Sequence, residues 1–405
     1  STTNYRLTAS KVGESRGVTF FDQGLVAKTA YYYWLRSRDF SGNTSTFHVG
    51  DTSGQTVTTA GKIGYKLTLI PTSVFSGTFT DLNDLAALAY DPVDAEVDWL
   101  VKVGSDLHYG ETTPNASVVV SLGSKFVGET KIAMVHDGTD HQVSTILSDI
   151  ARYGKIDRSG TILTALGDKF SPPATDKYVR AALAVQGSKL RWALYLNVYD
   201  ATPAFTNSIL RYARTDLSGV IEVAAADVTG TSLTVQGEDV RIGTDSDGNS
   251  HIFYKIKPTA AFQANAFQTD AFQQDAPVPM KWVKVDTSGT VLAGPSQVLS
   301  PPDGIADVSP AGVWVGTDDA VHVIGYSLIG QGLTLSYGRM TKAGVVVVEM
   351  SPFVALPTGV TFTYVAYASA NNQFLVGLAT TTAILQARLD PVDPTSESLE
   401  SSLLK

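Results

Sequence analysis

Apolar and polar residues alternate in short runs along most of this chain, and Gly-, Asp- and Ser-rich turns separate the runs. A period of two places successive side chains on opposite faces, so these runs predict strands with one face buried. From about residue 117 onward the strands recur as a unit: strand, charged residue, tight turn, strand. It reads Tyr-Gly-Lys-Ile-Asp157-Arg-Ser-Gly160-Thr-Ile-Leu, then Tyr-Ala-Arg-Thr-Asp216-Leu-Ser-Gly219-Val-Ile, then Trp-Val-Lys-Val-Asp286-Thr-Ser-Gly289-Thr-Val-Leu. A degenerate copy is Tyr-Gly-Arg-Met-Thr341-Lys-Ala-Gly344-Val-Val-Val, and the last, Gln-Ala-Arg-Leu-Asp390, breaks off at Pro391. The Asp accepts bonds from backbone N–H groups further along the turn, and the Gly supplies a positive φ. A second hairpin with a polar turn precedes each copy, as in KIAMVHDGTDHQVSTIL and VRIGTDSDGNSHIFYKI.

Two hairpins make four strands per repeat, and five such repeats predict an all-β fold with a β-propeller over 117–392. Each blade buries its faces on its neighbours, so the ring must close. The last repeat lacks its outermost strand, and residues 117–122 are expected to supply it. Five blades are favoured; six, with an extra blade from residues 95–122, is the competing count. The segment 61–116 reads as a connector with one helix, capped by Thr80 or Asp81, carrying Leu82, Leu85, Leu88 and Ala89 on one face and stopping before Pro92. That helix either packs on its own domain or forms an oligomer contact. Residues 393–405 form a C-terminal tail.

Residues 1–60 differ. Tyr31-Tyr-Tyr-Trp-Leu-Arg36 predicts an aromatic strand followed by a turn at Asp39, Ser41, Gly42 and Asn43. The spacing Leu25-Val-Ala-Lys-Thr-Ala-Tyr31 and the run YYYWLRSRDFSGNTS resemble the tyrosine corner and last two strands of a fibronectin type III domain, with Ala27 where that family has Pro. Only the back half of such a sandwich is present, and the first residue is not Met, so the chain reads as a piece of a longer protein. Between the hairpins of the third repeat, Phe262, Phe267 and Phe272 recur every five residues, each followed by Gln. This run either grips a partner as an exposed loop or tucks its Phe side chains onto the blade.

Composition narrows the chemistry. Thirty basic against 39 acidic residues give −9, with no Lys/Arg run, which argues against nucleic acid and anionic lipid as partners. Cys is absent, so no disulfide or thiolate metal site exists. His136 and His141 share a hairpin with Asp137 and Asp140; a polar turn is preferred there over a metal site. Asp245-Ser-Asp247-Gly-Asn249 opens like a calcium loop, but position 256 is Ile rather than Glu, and a turn is again preferred. Glycosidases require paired carboxylates; Asp98 and Glu222 are candidates without distinguishing context. Trp99, Trp192, Trp282 and Trp314 could stack on sugars, though their strand positions suggest core. No cofactor is expected. The Asp-x-Ser-Gly turns loosely resemble the Asp boxes of sialidase-type propellers, which are structural.

The aromatic strand, the Ala-Phe-Gln run and the domain order together resemble a bacteriophage tail-tip or tail-fibre protein. The resemblance implies a non-enzymatic, receptor-binding virion component. It would be assembled in the host cytoplasm, trimeric, joined to other tail proteins, and adhere at the cell surface to a glycan or an outer-membrane protein, with Phe262, Phe267 and Phe272 as the contact loop. The rivals are a glycosidase or depolymerase acting on host polysaccharide, and a purely structural tail decoration.

Overall fold

In a computed structural model, the described residues are 30–33, 55–58 and 65–391. Within the last range the inter-strand segments 80–85, 128–129, 174, 200–204, 230–236, 257–279, 298, 300–307, 317–318, 330–331, 357–359 and 369–372 are excluded. The chain divides into two compact units, residues 66–390 and the remainder. In the smaller unit β1 (Ala30–Tyr33) pairs antiparallel with β2 (Gln55–Thr58). The expected aromatic strand therefore begins as predicted. The rest of the segment read as fibronectin-like lies outside the described residues, as do Phe262, Phe267 and Phe272.

The larger unit is a six-bladed β-propeller. After β3 (Tyr65–Ser76), blade 1 is built from β4 (Ala86–Asp91), β5 (Glu96–Val103), β6 (Asp106–Thr112) and β7 (Val118–Val127). Blade 2 contains β8 (Thr130–His136), β9 (His141–Leu147), β10 (Ile150–Ile156) and β11 (Ile162–Phe170). Blade 3 contains β12 (Lys177–Gln186), β13 (Lys189–Tyr199), β14 (Phe205–Asp216) and β15 (Ile221–Asp227). Blade 4 contains β16 (Gly237–Thr244), β17 (Ser250–Ile256), β18 (Lys281–Val285) and β19 (Val291–Gln297). Blade 5 contains β20 (Ser309–Val315), β21 (Ala320–Ile329), β22 (Gly332–Thr341) and β23 (Val346–Ala355). Blade 6 contains β24 (Thr361–Ala368), β25 (Gln373–Ala379) and β26 (Ala383–Pro391), and takes β3 as its outermost strand. The innermost strands touch in a closed cycle, β4 to β8, β12, β16, β20, β24 and back to β4.

Three expectations are corrected. The favoured count of five becomes six. The ring is closed by β3, not by residues 117–122, of which 118–122 belong to β7, the strand that pairs with β6. The segment given to a helix contributes β4, with Leu88 and Ala89 in a strand; no helix occurs among the described residues. The cause lies in burial. Every residue of β4 is buried, because an innermost strand packs against blades on both sides. Such a strand loses alternation and becomes a continuous apolar run.

One contact recurs around the ring and explains the repeat. The Asp157 carboxylate accepts the backbone N–H groups of Ser159 (2.9 Å) and Thr161 (2.7 Å), and Gly160 follows at φ +74°. The third-strand aromatic of each preceding blade lies under this Gly: Tyr109 under Gly160, Tyr153 under Gly219, Tyr212 under Gly289, Trp282 under Gly344. Two of these tyrosines also bond across the gap, Tyr109 Oη to the Arg158 carbonyl and Tyr153 Oη to the Leu217 carbonyl, each at 2.7 Å. Blade 1 contains a sixth, disguised copy: Tyr-Gly-Glu-Thr-Thr113-Pro-Asn-Ala116. Here the Thr113 hydroxyl replaces the Asp carboxylate, accepting Ser117 N–H at 3.1 Å, and Ala116 adopts φ 64° in place of Gly.

Candidate active site

The channel encloses a cavity of about 390 Å³, lined from all six innermost strands. Most of the lining is Ala, Val, Leu, Ile and Gly. Its polar and aromatic members are Tyr90, His136, Arg241, Thr244, Tyr364 and Tyr367, with the buried Trp314. The hairpin pairs His136↔His141 and Thr244↔Ser250 close their first turns, which sets His136 and Thr244 at one mouth of the channel. Arg241 lies three residues deeper, about 10 Å along the strand.

His136 lines this mouth with its side chain only 5% exposed, and is backed by a polar cluster between blades 1 and 2. Its Nδ1 accepts the backbone N–H of Gly138 at 3.1 Å, and its Nε2 sits 3.6 Å from Asp91 Oδ1. Asp91 is buried at the end of β4, where Oδ1 also accepts Val93 N–H at 2.7 Å, and Arg158 Nε approaches its Oδ2 at 3.8 Å. The His136 and His141 rings are 5.0 Å apart, and His141 Nε2 lies 3.2 Å from Asp98 Oδ2. Tyr109 donates its hydroxyl hydrogen within a group that also includes the Asp98 carboxylate and Glu111, the latter at 2.9 Å. Glu111 in turn shares a hydrogen bond with Glu96.

This crowding shifts the proton affinities. Burial, followed by the charges of Asp98 and Glu96, pushes the Glu111 carboxyl up to about 7, although the Tyr109 hydroxyl opposes the shift. Burial and the acidic neighbours hold the Tyr109 phenol far above its ordinary value. Burial lowers His136, as does neighbouring His141, while Asp91 pulls in the opposite direction. The cluster thus holds one carboxyl, Glu111, near neutrality, while only His136 of the cluster's shifted groups lines the cavity.

The sequence candidates fall in different places. Asp98 belongs to the cluster. Glu222 sits on the rim, paired with Lys189 and with Arg214 Nε at 3.0 Å, away from the cavity. Trp99, Trp192 and Trp282 are core. The His322 and Tyr367 rings stack against Trp314 at 4.9 Å each. Asp137 caps its turn, accepting Thr139 and Asp140 N–H at 2.8 Å each, while the two histidines of that hairpin face Asp91 and Asp98 instead. Asp245 is likewise engaged by Asn249 N–H at 2.8 Å, His251 at 3.1 Å and Lys284 at 3.0 Å. Burial works against its charge, yet these partners, led by Lys284, hold its carboxyl down at about 2. Reading the sequence missed Tyr90, Asp91, Tyr109, Glu111, Arg158, Arg241 and Tyr364. A signal existed for Tyr109 and Glu111, in the disguised sixth copy of the repeat.

No protein-family model matches the chain, and no curated protein matches it. Among solved structures it is similar to the Penicillium chrysogenum alpha-L-arabinanase complexed with arabinobiose. The TM-score is 0.54 at 11% identity, covering 82% of this chain and 99% of that one. It is also similar to an ulvan lyase, a polysaccharide lyase bound to -[GlcA(1-4)Rha3S]-. There the TM-score is 0.51 at 11% identity, covering 76% of this chain and 79% of that one. At this identity the likeness is one of fold. The reading as a non-enzymatic tail adhesin is corrected here: these two similar structures are a polysaccharide lyase and an arabinanase, which favours the rival, glycan-degrading reading. No phage family and no fibronectin module emerges from these similarities.

Proposed function

We propose that the protein is a glycan-cleaving enzyme whose substrate enters the central channel, with His136 as the group that moves the proton. The observation that carries this reading is the opening of the blade 1–blade 2 cluster onto the cavity through His136. A concave, mostly apolar pocket with a few convergent polar groups and perturbed titrations is what a small-ligand site requires. Tyr90, Tyr364 and Tyr367 supply aromatic surface for sugar rings. The described lining contains no carboxylate, so a carboxylate pair flanking the scissile bond is not provided there. The acid is instead the His136 imidazolium. Nδ1 accepts the Gly138 N–H only in the neutral ring, so the imidazolium gives up that contact, and Nε2, buried 3.6 Å from Asp91, must turn toward the cavity to reach a leaving oxygen. Asp91 and His141 lie directly behind it, with Asp98 beyond His141.

Release of reducing ends from a panel of polysaccharides tests this reading. His136→Ala should lower the rate by about 10²–10⁴-fold, the range for loss of a general acid, while the rim variant Glu222→Gln should retain it. Because burial lowers the imidazole below its ordinary 6.5, kcat should fall as pH rises through the range below 6.5. Absence of release from every polysaccharide, or full activity in His136→Ala, would overturn the reading.

A further inference from the structure

We infer that the inner end of the cavity binds an acidic sugar unit, a uronate carboxylate or a sulfate ester, through Arg241. This rests on the glycan-cleaving reading and names the class of substrate. Among the described residues lining the cavity, Arg241 is the only Asp, Glu, Lys or Arg. Its guanidinium is held in place: Nε donates to the Ala311 carbonyl at 2.8 Å, Nη1 to the Val240 carbonyl at 2.7 Å, and the group lies 5.0 Å from the Tyr364 ring centre.

These partners satisfy N–H groups and orient the fork, but none carries a negative charge. A charge withdrawn from water is normally compensated by an opposite one. Asp239, two residues earlier on the same strand, is directed elsewhere: it accepts the Tyr326 hydroxyl at 2.9 Å and lies 3.9 Å from Arg180. Among the described residues no ion pair joins a carboxylate to Arg241. A planar guanidinium held half-buried in the wall of a mostly apolar pocket therefore presents positive charge to whatever enters, in the geometry that suits a carboxylate or sulfate. The tyrosine face beside it offers an apolar surface to the sugar ring that bears the anion.

Calorimetric titration of the intact chain tests this with oligosaccharides of equal length: one bearing uronates, one bearing sulfates, one neutral. Expected is tighter binding of at least one acidic ligand than of the neutral one, the uronate and sulfate arms identifying which anion is recognised. Arg241→Gln should weaken the acidic ligand by roughly 10- to 100-fold, the loss of a charge-assisted bond, and leave the neutral one nearly unchanged. Arg241→Lys should restore part of the preference, because the charge returns without the fork. Equal binding of neutral and acidic ligands by the unaltered protein overturns the inference, whether or not the variants fold. So does an acidic preference that survives Arg241→Gln in a variant with an unchanged denaturation midpoint. The glycan-cleaving reading would outlive that result; it fails separately, if no reducing ends appear from any polysaccharide.

Discussion

At three of the outer turns, those of Gly160, Gly219 and Gly344, the Gly is fixed by a neighbouring blade as much as by its own backbone. At Gly219 a Cβ would fall 2.6 Å from the Tyr153 ring, and at Gly344 it would fall 2.6 Å from Trp282. Both positions also have positive φ, at +84° and +89°. Gly187 has positive φ as well, +55°, but nothing lies within 4 Å of its would-be Cβ. Backbone strain alone costs about 1 kcal/mol, whereas a ring that cannot retreat adds overpacking of about 1–3 kcal/mol. Gly219→Ala should therefore lower the urea-derived stability by about 2–4 kcal/mol and Gly187→Ala by about 1 kcal/mol. Equal losses in the two variants would show that the interblade aromatic contact does not constrain the turn.

At the scale of elements, the cluster between β5, β6 and β9 couples stability to pH. Glu111 titrates at about 7 in the fold against an ordinary 4.5, so between those values the folded protein binds more protons than the unfolded chain. Its contribution is fully present below 4.5 and is lost as pH rises to 7. His251, between blades 4 and 5, works in the opposite sense. Burial lowers it to about 4 from 6.5, so stability falls as pH drops through that window. Glu111→Gln should remove the decline on the alkaline side: the denaturation midpoint of the unaltered protein should drop relative to the variant between pH 4.5 and 7. Parallel midpoints across that range would count against a shifted Glu111. The same scale explains why β4 was mistaken for a helix. Leu85, Leu88 and Ala89 fit a helical stripe, but Ala86–Asp91 is buried throughout, and a run apolar on both faces carries no period to distinguish the two.

For the whole molecule, closure depends on a strand more than three hundred residues from its partner: Thr68 Oγ1 donates to the Arg388 carbonyl at 3.4 Å with a sequence separation of 320. Just beyond β3, Gly77 N–H and Phe79 N–H donate to the Thr382 and Thr381 carbonyls at 3.1 and 3.0 Å. Val74, Phe75 and Phe79 join the core shared by blades 6 and 1, where the Phe75 ring meets Trp99 edge-on with centroids 6.0 Å apart. A chain shortened to begin at Tyr65 should unfold with the propeller's own cooperativity. One shortened to begin at Phe79 forfeits Val74, Phe75 and the closing strand. At about 1.5–3 kcal/mol for each buried apolar side chain, it should lose 3 kcal/mol or more and unfold over a broader denaturant range. Superimposable curves for the two would mean that the ring does not need β3.

The repeat, its Asp-capped turns, its four-strand unit and the ring they imply were legible along the chain, because each depends on contacts within a few residues: a carboxylate reaching the next N–H groups, a Gly with positive φ, apolar side chains every second position. The number of blades was not, since in blade 1 Thr113 and Ala116 perform the same local tasks as Asp and Gly with different atoms. The identity of the closing strand was not legible either. Val118–Val127 and Tyr65–Ser76 both have the pattern of an outer strand, and only the packing of β3 against β26 selects between them. The sequence singled out Asp98, His136 and His141 one by one, but their assembly into a site belongs to the tertiary structure. Asp91, His136, Arg241 and Tyr364 come from four different blades, with no common spacing to announce them. What makes them chemically distinct, burial beside unlike charges and exposure to one cavity, arises only once the ring is closed.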